Sequence, residues 1–447
     1  HVNKRLVATV ILMVALVMDL MDSTITNVAL PAIGNDLGAN PAQLEWTLAG
    51  YVVAFATLLI TGGRIGDIFG RRRVFVIGVA GFTVASLLAS FSPTGDTLVA
   101  TRILQGAFAG IMVPQVLSSV QVMYKPEERG PIFGIVGALS ALGAVTGLLL
   151  GGWLVTINAF DAGWRSIFLI NIPVGAVLII ASLLFVPNSR SEAPPKLDIV
   201  GTLLGAATVF LIVFPLTDAR QADWAWWIWA MLAAAPIILV LFVLQQKRKL
   251  RDNGSALLPM TLFRNHGFAS GSVVQVLSSI GNGSYALVII FYVQQTLGFT
   301  PLAAGLTILP LAIGSMVATA AAIPLAKKFG KHAVVLGGTI QAAAFVWVML
   351  AIVSAGDTLT GWNLVLPLGL AGAGMMILIM PQMELTLATV PTAEAGAASG
   401  TLTTLGQVGM VLGVTLPGSI FFGRITDGAS PQDGVITALL VTVTTYL

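Results

Sequence analysis

The sequence contains no cysteine and only three histidines among its 447 residues, so disulfides, thiolate metal sites and histidine-based metal centres are excluded. Charged residues are also scarce at 9%, whereas soluble domains carry about 25%. Together with an apolar content of 56%, this scarcity excludes a water-soluble enzyme. The net charge is only +3, and the basic residues form short clusters between long apolar runs, so a nucleic-acid partner is not expected. The chain is predicted to lie in a lipid bilayer, with its chemistry confined to carboxylates, arginine and shape.

The apolar runs predict an all-α polytopic membrane protein. A helix needs about 20 mainly apolar residues to cross the hydrocarbon core. Fourteen such runs can be drawn along the chain, the last of them short at 435–447. Eighteen of the 22 lysines and arginines fall in loops on the side of the N-terminus, against Arg165, Arg220 and Arg424 on the other side. The positive-inside rule therefore predicts an inside N-terminus and an even number of helices.

A short motif occurs twice. GGRIGDIFGRRR follows the second predicted span at 62–73, and PLAKKFGKHA follows the tenth at 324–333, an offset of 260 residues. Six spans occupy roughly 190 residues, so two further helices are expected between the copies. This spacing predicts an N-terminal six-helix bundle at 1–187, a linker with two additional helices at 188–266, and a C-terminal six-helix bundle at 267–447 with a truncated last helix. Two related halves are typical of alternating-access transporters, and no acidic ring or filter-like loop favours a channel.

Four motifs follow one another in the first 175 residues. They are MDSTITNVALP at 21–31, GGRIGDIFGRRR at 62–73, LVATRILQGAFAG at 98–110 and WRSIFLINIPVG at 164–175. In this order the chain resembles the major facilitator superfamily and, within it, the fourteen-helix drug:proton antiporters. The resemblance implies the major facilitator fold, with two six-helix bundles plus two inserted helices, 14 transmembrane helices in all. It also implies a secondary transporter that is driven by the proton gradient and needs no cofactor.

The fifth predicted helix departs from that family's pattern. Gly143, Gly147 and Gly151 recur every four residues and Gly152 follows, which predicts a smooth stripe for close helix approach. Leu148 stands where the family's antiporter motif has a proline, so a kink-forming residue is missing. The departure leaves the predicted fold unchanged and weakens the inference about the direction of transport.

Two carboxylates lie inside the first predicted span, where an ionisable group costs roughly 2.5–3.5 kcal/mol on insertion scales. Asp19 and Asp22 are three residues apart and share nearly one helix face with Thr26. Such close carboxylates would resist carrying charge together, so a proton and a cationic substrate could compete for one of them. The pattern predicts a proton-coupling and cation-binding site, with function favoured for Asp22. A backbone cap or a permanent pair with Arg102 is the alternative, and for Asp19 both interpretations stay open.

Arg102 is the only basic residue inside a predicted span, and its guanidinium keeps its proton. It therefore needs a partner, which we expect to be a carboxylate of the first helix or a cluster of backbone carbonyls. A static structural pair and a coupling role are both consistent with the sequence. The family resemblance favours the coupling role.

The motif after the second span predicts a cytoplasmic gate. Gly63, Asp67, Gly70 and Arg71 form a frame in which Asp67 can meet cationic groups and helix ends of neighbouring helices when the inside is shut. These contacts would be lost when the inside opens. Simple topogenic charge explains the arginines of this loop equally well, but it does not explain the glycine frame around Asp67.

Further candidates lie along both halves. Glu384 is the carboxylate assigned to a C-terminal span, where it is either a second cation or proton site or an interfacial side chain. Aromatic and amide side chains that could line a cavity are Tyr51, Phe55, Gln115, Tyr285, Phe291, Tyr292 and Gln295.

The whole pattern predicts a proton-coupled exporter of lipophilic, cationic drugs or toxic compounds, working as a monomer in the inner or plasma membrane. An exporter of one specific metabolite or antibiotic is the alternative, and a non-transporting sensor is a third interpretation. A membrane enzyme is disfavoured because no metal-ligand cluster or nucleophile constellation is recognisable. Direct ATP drive lacks support because GxxxxGK[ST] does not occur.

Overall fold

The computed structural model describes residues 4–124, 143, 146–158, 161–190, 196–219, 222–253, 256–390 and 395–447. Regular secondary structure in these ranges is helical throughout. The α-helices are α1 (Lys4–Leu37), α2 (Pro41–Phe69), α3 (Arg71–Ser90), α4 (Gly95–Met123), α5 (Thr146–Ile157), α6 (Ser166–Leu169), α7 (Asn171–Phe185), α8 (Ile199–Asp218), α9 (Trp226–Asn253), α10 (His266–Phe291), α11 (Pro301–Phe329), α12 (Lys331–Ala355), α13 (Gly361–Ala388), α14 (Ala395–Thr426) and α15 (Pro431–Thr444). A π-helical turn, Tyr292–Thr296, extends α10.

The described residues contain 12 helical segments that are long and apolar enough to cross a membrane. Two of the fourteen predicted spans are not among them. The span predicted at 131–157 falls largely outside the described residues, which show the short helix α5 at its end. The span predicted at 435–447 corresponds to α15, whose 14 residues are too few for a full crossing. The count of fourteen and the inside N-terminus stay predictions.

Local sequence signals set the ends of the spanning helices. Asn40 caps α2, because its side chain accepts from the Gln43 amide at 2.8 Å while the Gln43 side chain accepts from the Asn40 amide at 3.0 Å. Thr94 and Thr97 form the same reciprocal pair before α4. At the other end of α2, Gly70 has a φ of 104°, a conformation that glycine adopts without strain. The chain can therefore start α3 directly after α2.

One compact unit comprises His1–Leu150, Ile157–Phe210 and Pro236–Leu257. In it α2 packs along α4, α3 packs along α4 and α7, and α1 packs against α4 and α7. The helices α2 and α4 approach closely at a glycine, Gly106, whose missing Cβ leaves room for the backbone carbonyl of Tyr51. This contact places Tyr51 beside the preceding turn of α4, which carries Arg102.

A second compact unit comprises Gly151–Thr156, Leu211–Ala235 and Leu258–Leu447. In it α11 packs along α13, α12 packs along α13 and α15, and α10 packs along α14 and α15. Here the carbonyl of Leu311 in α11 lies against Gly372 of α13, which likewise could not carry a side chain.

The helices of the two units have the same order of packing partners. Helices α10, α11, α12, α13 and α15 take the places of α1, α2, α3, α4 and α7. Both close contacts at glycine occur between the second and fourth helices of this order. The packing thus shows the internal repeat that the duplicated motif indicates. The division of the chain at 1–187, 188–266 and 267–447 stays a prediction.

Candidate functional site

The middle of α1 carries a carboxylate that is completely enclosed. Asp22 has no exposed surface. Its Oδ2 accepts a hydrogen bond from Arg102 Nη1 at 2.5 Å. Its Oδ1 accepts from the amide Nε2 of Gln105 at 3.0 Å and from the amide Nδ2 of Asn171 at 2.7 Å. Helices α4 and α7 thus supply three donors to one carboxylate, and hydrogen bonds to an ionised acceptor are roughly twice as strong as neutral ones.

Arg102 is 1% exposed and is held by more than its ion pair. Its Nε donates to the carbonyl of Thr47 at 3.2 Å, and its Nη1 also donates to Gln105 Oε1 at 2.6 Å. The guanidinium carbon lies 4.3 Å from the centre of the Tyr51 ring, which is a cation–π geometry. The partner of Arg102 is therefore a carboxylate of the first helix, supplemented by one backbone carbonyl. Removing either member of such a buried pair costs about 3–5 kcal/mol, because the other charge is left uncompensated.

Asp19 lies one turn before Asp22 on α1 and is 5% exposed. Its Oδ1 accepts a hydrogen bond from the hydroxyl of Tyr51, whose ring covers Arg102. Asp19 thus joins the cluster through a neutral phenol, whereas Asp22 is bound directly by the guanidinium. With both acids ionised, these two carboxylates and one guanidinium carry one unbalanced negative charge.

Two uncharged residues belong to the cluster although they were not selected from the sequence. Besides its bond to Asp22, the Asn171 Nδ2 donates to the hydroxyl of Ser86 at 3.0 Å, and that hydroxyl donates to the carbonyl of Phe168 at 2.9 Å. Both side chains are completely buried. The available signal was an amide within an apolar span, in WRSIFLINIPVG.

A buried carboxylate, Glu45, at the start of α2 was also overlooked; it is 1% exposed.

The predicted gate residues lie at the junction of α2 and α3. Arg71 Nη2 donates to Asp67 Oδ1 at 2.6 Å, so the ion pair is local to the loop. The same arginine binds the segment after α7, because its backbone amide donates to the Ser189 carbonyl at 2.9 Å. Gly70 lies against the side chain of Asn188, and a Cβ at Gly63 would lie 3.7 Å from Pro114. The frame therefore joins α2, α3 and the end of α7.

The glycine stripe of the fifth predicted helix meets α1 beside the buried acids. A Cβ at Gly143 would lie 3.3 Å from the carbonyl of Val17, and one at Gly147 would clash with Met21 and Thr24. In the second unit, a Cβ at Gly152 would lie 2.8 Å from the carbonyl of Pro301. Gly151 is buried.

Of the side chains predicted to line a cavity, Tyr51 reaches the acids and stacks on Phe55 with ring centroids 6.4 Å apart. Gln115 is completely buried and donates to the carbonyl of Gly62 at 2.7 Å. The remaining predicted residues belong to the second unit, where Tyr285, Phe291 and Tyr292 are buried and Gln295 and Glu384 are exposed. In the part of the chain that the structure describes, no three His, Asp or Glu side chains converge as metal ligands.

Comparison with known proteins is consistent across sequence and structure. The family model described as Major Facilitator Superfamily matches residues 12–414. The chain is 38% identical over 441 residues to a probable actinorhodin transporter of Streptomyces coelicolor, covering 97% of this chain and 76% of that protein. It is 32% identical over 427 residues to a tetracenomycin C resistance and export protein of Streptomyces glaucescens, covering 94% and 76%. The crystal structure of a bacterial homologue of the human lysosomal transporter Spinster superposes with a TM-score of 0.68 at 16% identity, covering 100% of this chain and 95% of that chain.

These matches decide between the broad interpretations. The resemblance to the superfamily is confirmed over nearly the whole chain, and so is a transporter in place of an enzyme. Membership of the fourteen-helix branch stays a prediction. The chain belongs to the major facilitator superfamily and is a multi-pass transporter of the plasma membrane.

Proposed function

We propose that this protein exports lipophilic, cationic drugs or antibiotics in exchange for protons, by alternating access. The observation that carries the proposal is the buried cluster of Asp19, Asp22 and Arg102 in the first unit. Export of toxic compounds is supported by the relatives named for an antibiotic or for antibiotic resistance.

The charge of the cluster makes a proton and a cation exclude each other. With both acids ionised, one negative charge is unbalanced, and an unbalanced charge is costly in a low-dielectric site. One proton removes this charge, and so does one monovalent organic cation. Cargo therefore binds after the proton has left, and an entering proton displaces the cargo. Such mutual exclusion at one site is what antiport requires.

We assign the exchanged proton to Asp19 and the retention of Arg102 to Asp22. Protonation of Asp22 would dissolve an ion pair and leave a buried guanidinium without its counter-charge. Asp19 instead faces the hydroxyl of Tyr51, which donates to a carboxylate and can equally accept from a carboxylic acid. The hydrogen bond can thus persist through both charge states. Asp19 can also lose or gain its proton without breaking the ion pair of its neighbour.

The junction of α2 and α3 is the proposed gate element. The Asp67–Arg71 ion pair and the hydrogen bonds of Arg71 to Ser189 connect the ends of α2, α3 and α7. We propose that these interactions form and break together when the bundle rocks. In the fifth predicted helix, Gly143 and Gly147 present no side chains to α1, so the two helices can lie close together without interlocking. We further propose fourteen spans, an inside N-terminus, and a monomer that works on the proton gradient without a cofactor.

Proton exchange is tested with purified protein in liposomes that enclose a pH-sensitive dye. When ethidium is added on one side, we expect protons to move in the opposite direction to ethidium. Asp19→Asn should abolish the proton signal and weaken ethidium binding, because the neutral amide leaves no unbalanced negative charge for the cation. Ethidium transport with an unchanged internal pH would refute antiport. Binding without any transport would identify a sensor.

A second candidate function is export of one specific antibiotic. It is favoured by relatives named for single compounds, actinorhodin and tetracenomycin C. Competition in the same liposomes separates the two functions. If unrelated cationic dyes compete with one another for transport, the site is broad. If actinorhodin is transported and is unaffected by an excess of ethidium, the specific exporter is the correct description.

A further inference from the structure

A cavity of about 480 Å³ lies in the first unit between α2 and the first half of α8, and Ile103 of α4 also lines it. Asp19, Asp22 and Arg102 are not among its lining residues. The two helices touch at both ends of this cavity. At one end the rings of Trp46 and Phe210 approach to 6.3 Å between centroids, and at the other the hydroxyls of Thr61 and Thr202 are 2.7 Å apart. We call the space between these two contacts the α2–α8 slot.

Small residues make the slot. Gly50 and Ala54 of α2 face Ala206 and Ala207 of α8 across it, so neither helix fills the space with its own side chains. Three of the larger lining side chains remain exposed: Leu203 at 64%, Phe210 at 44% and Ile103 at 40%. A packed interface between two helices would instead have covered them.

Hydrogen bonds fix the position of the N-terminal end of α8, and with it the width of the slot. Asp198 Oδ1 accepts from the Gly201 amide at 2.9 Å and from Gln245 at 2.8 Å, while its Oδ2 accepts from Gln246 at 2.7 Å. Burial opposes ionisation of Asp198, yet these three donors hold the pKa of that carboxyl below its usual range. On the α2 side, Arg64 donates to the carbonyl of Lys196 at 2.9 Å. These bonds tie α8 to both α9 and α2 just beyond the Thr61–Thr202 contact.

The helices that line the slot are of the kind that crosses a membrane, so the slot is expected to face lipid hydrocarbon. All three helices that line it belong to segments long and apolar enough to cross the membrane. The hydroxyls that line the slot donate hydrogen bonds to backbone carbonyls: Thr57 to Val53 at 2.7 Å and Thr202 to Asp198 at 2.9 Å. An occupant therefore needs no polar group, and a cation would find no counter-charge among the lining residues. If the slot were empty, the side chains that line it would lack van der Waals contacts on that side, which is unfavourable.

We propose that the α2–α8 slot is a binding site for one acyl chain of a membrane phospholipid. The volume lies within the range of ligand pockets, roughly 300–1,000 Å³, and the lining is of the apolar kind that such pockets have. The chain completes the packing between α8 and the six-helix bundle. It is a structural ligand and not cargo, because the slot offers nothing that would hold a charged compound.

The proposal is tested with a phosphatidylglycerol that carries a photoreactive diazirine in its acyl chain, mixed into liposomes that contain the full chain. After illumination, mass spectrometry of peptides measures the label on residues 46–58 and 202–210. The reference is the exposed face of α7 around Val177 and Leu184, which are 65% and 70% exposed. We expect severalfold more label per residue in the slot than on this face. Equal labelling of the two surfaces would overturn the proposal.

Variants that fill the slot sharpen the test. Ala206→Phe, and independently the smaller change Ala54→Leu, should lower the slot label to the level of the α7 face. Ala343→Phe on the exposed side of α12 is the matched control and should change nothing. Slot labelling that persists in both filled variants would place the lipid elsewhere and overturn the proposal. Selective loss of the wild-type slot label on addition of excess ethidium would also overturn it, by showing that the slot takes cargo.

Discussion

The two units share one packing order but differ in the polar groups that they bury. In the first unit the buried cluster contains three ionisable side chains, Asp19, Asp22 and Arg102, whereas the cluster of the second unit consists of amides and hydroxyls among the described residues. There the Asn282 Oδ1 accepts from Gln341 Nε2 at 3.0 Å and from the hydroxyl of Tyr446 at 2.8 Å, and the hydroxyls of Ser284 and Thr442 are 2.5 Å apart. The 260-residue offset of the duplicated motif places Asn282 opposite Asp22. A duplicated scaffold thus carries an ionic centre in one copy and an amide centre in the other.

This difference separates scaffold from chemistry. Hydrogen-bonded amides and hydroxyls can hold helices together without ever changing charge, whereas carboxylates can take up a proton. Only the cluster of the first unit can therefore change its charge in response to a gradient. Paired changes in the clusters and loops of the two units measure what the charge adds.

The largest effect is expected from removing the charge at Asp22. Asp22→Asn leaves Arg102 buried without its counter-charge and should lower the free energy of unfolding by about 3–5 kcal/mol. Asn282→Ala in the second unit removes only neutral hydrogen bonds and should cost about 1–3 kcal/mol. Chemical denaturation in detergent measures both. Adding Arg102→Gln to Asp22→Asn should restore part of the loss, and equal losses for Asp22→Asn and Asn282→Ala would contradict the comparison.

Neutralising Asp19 should affect transport more than stability. Asp19→Asn keeps a partner for the Tyr51 hydroxyl but fixes the cluster in one charge state. The effect of pH on ethidium affinity, expected at about 5–150-fold for coupling between two ligands, should be lost in Asp19→Asn. Proton-driven efflux of ethidium from liposomes should fall with it. The matched change is Ser279→Ala, at the position 260 residues later, which should leave efflux unchanged. If Asp19→Asn transports ethidium at the wild-type rate, the exchanged proton is carried by another group.

Asn171 provides a comparison of hydrogen bonds. Asn171→Ala removes a donor to an ionised carboxylate and should cost about 1.5–3 kcal/mol of unfolding free energy. Thr442→Val removes a hydroxyl from a neutral pair in the second unit and should cost about 0.5–1.5 kcal/mol. Denaturation of the two variants under the same conditions gives the difference. A greater loss for Thr442→Val than for Asn171→Ala would show that the second cluster supports its unit more strongly.

The smallest effect on stability is expected at the duplicated loop. Asp67→Asn breaks a partly exposed ion pair, which contributes at most about 1 kcal/mol. Lys331→Gln changes an exposed cation in the second copy of the motif and should be neutral. Turnover of transport should nevertheless fall in Asp67→Asn and not in Lys331→Gln, while ethidium binding stays as in the wild type. Equal turnover in all three proteins would exclude a gate at this loop.

The sequence predicted which charges matter better than it predicted how they are arranged. Asp19, Asp22 and Arg102 could be found because a charge inside an apolar span is conspicuous. The attachment of Asp19 to Tyr51, and of Asp22 to Asn171, depends on how α1, α2, α4 and α7 pack. That packing is decided by backbone contacts such as the one at Gly106, which leave only a glycine as their trace in the sequence.

Other features were harder for similar reasons. Ser86 is an ordinary small polar residue in a span, and nothing in its neighbourhood marks it as a partner of Asn171. Glu45 lies near the boundary of a predicted span, where an acid attracts little notice, and its burial follows from the fold. The slot needs the relative position of two helices that lie about 150 residues apart in the sequence.

Tyr51 lies between Asp19 and Arg102, with its hydroxyl on the Asp19 carboxylate and its ring over the guanidinium. Tyr51→Phe would remove the hydrogen bond to Asp19 while preserving the ring beside Arg102 and the Asp22–Arg102 ion pair. The link between Asp19 and the ion pair therefore depends on one phenolic oxygen, whereas the link between α1 and α4 through Asp22 and Arg102 does not.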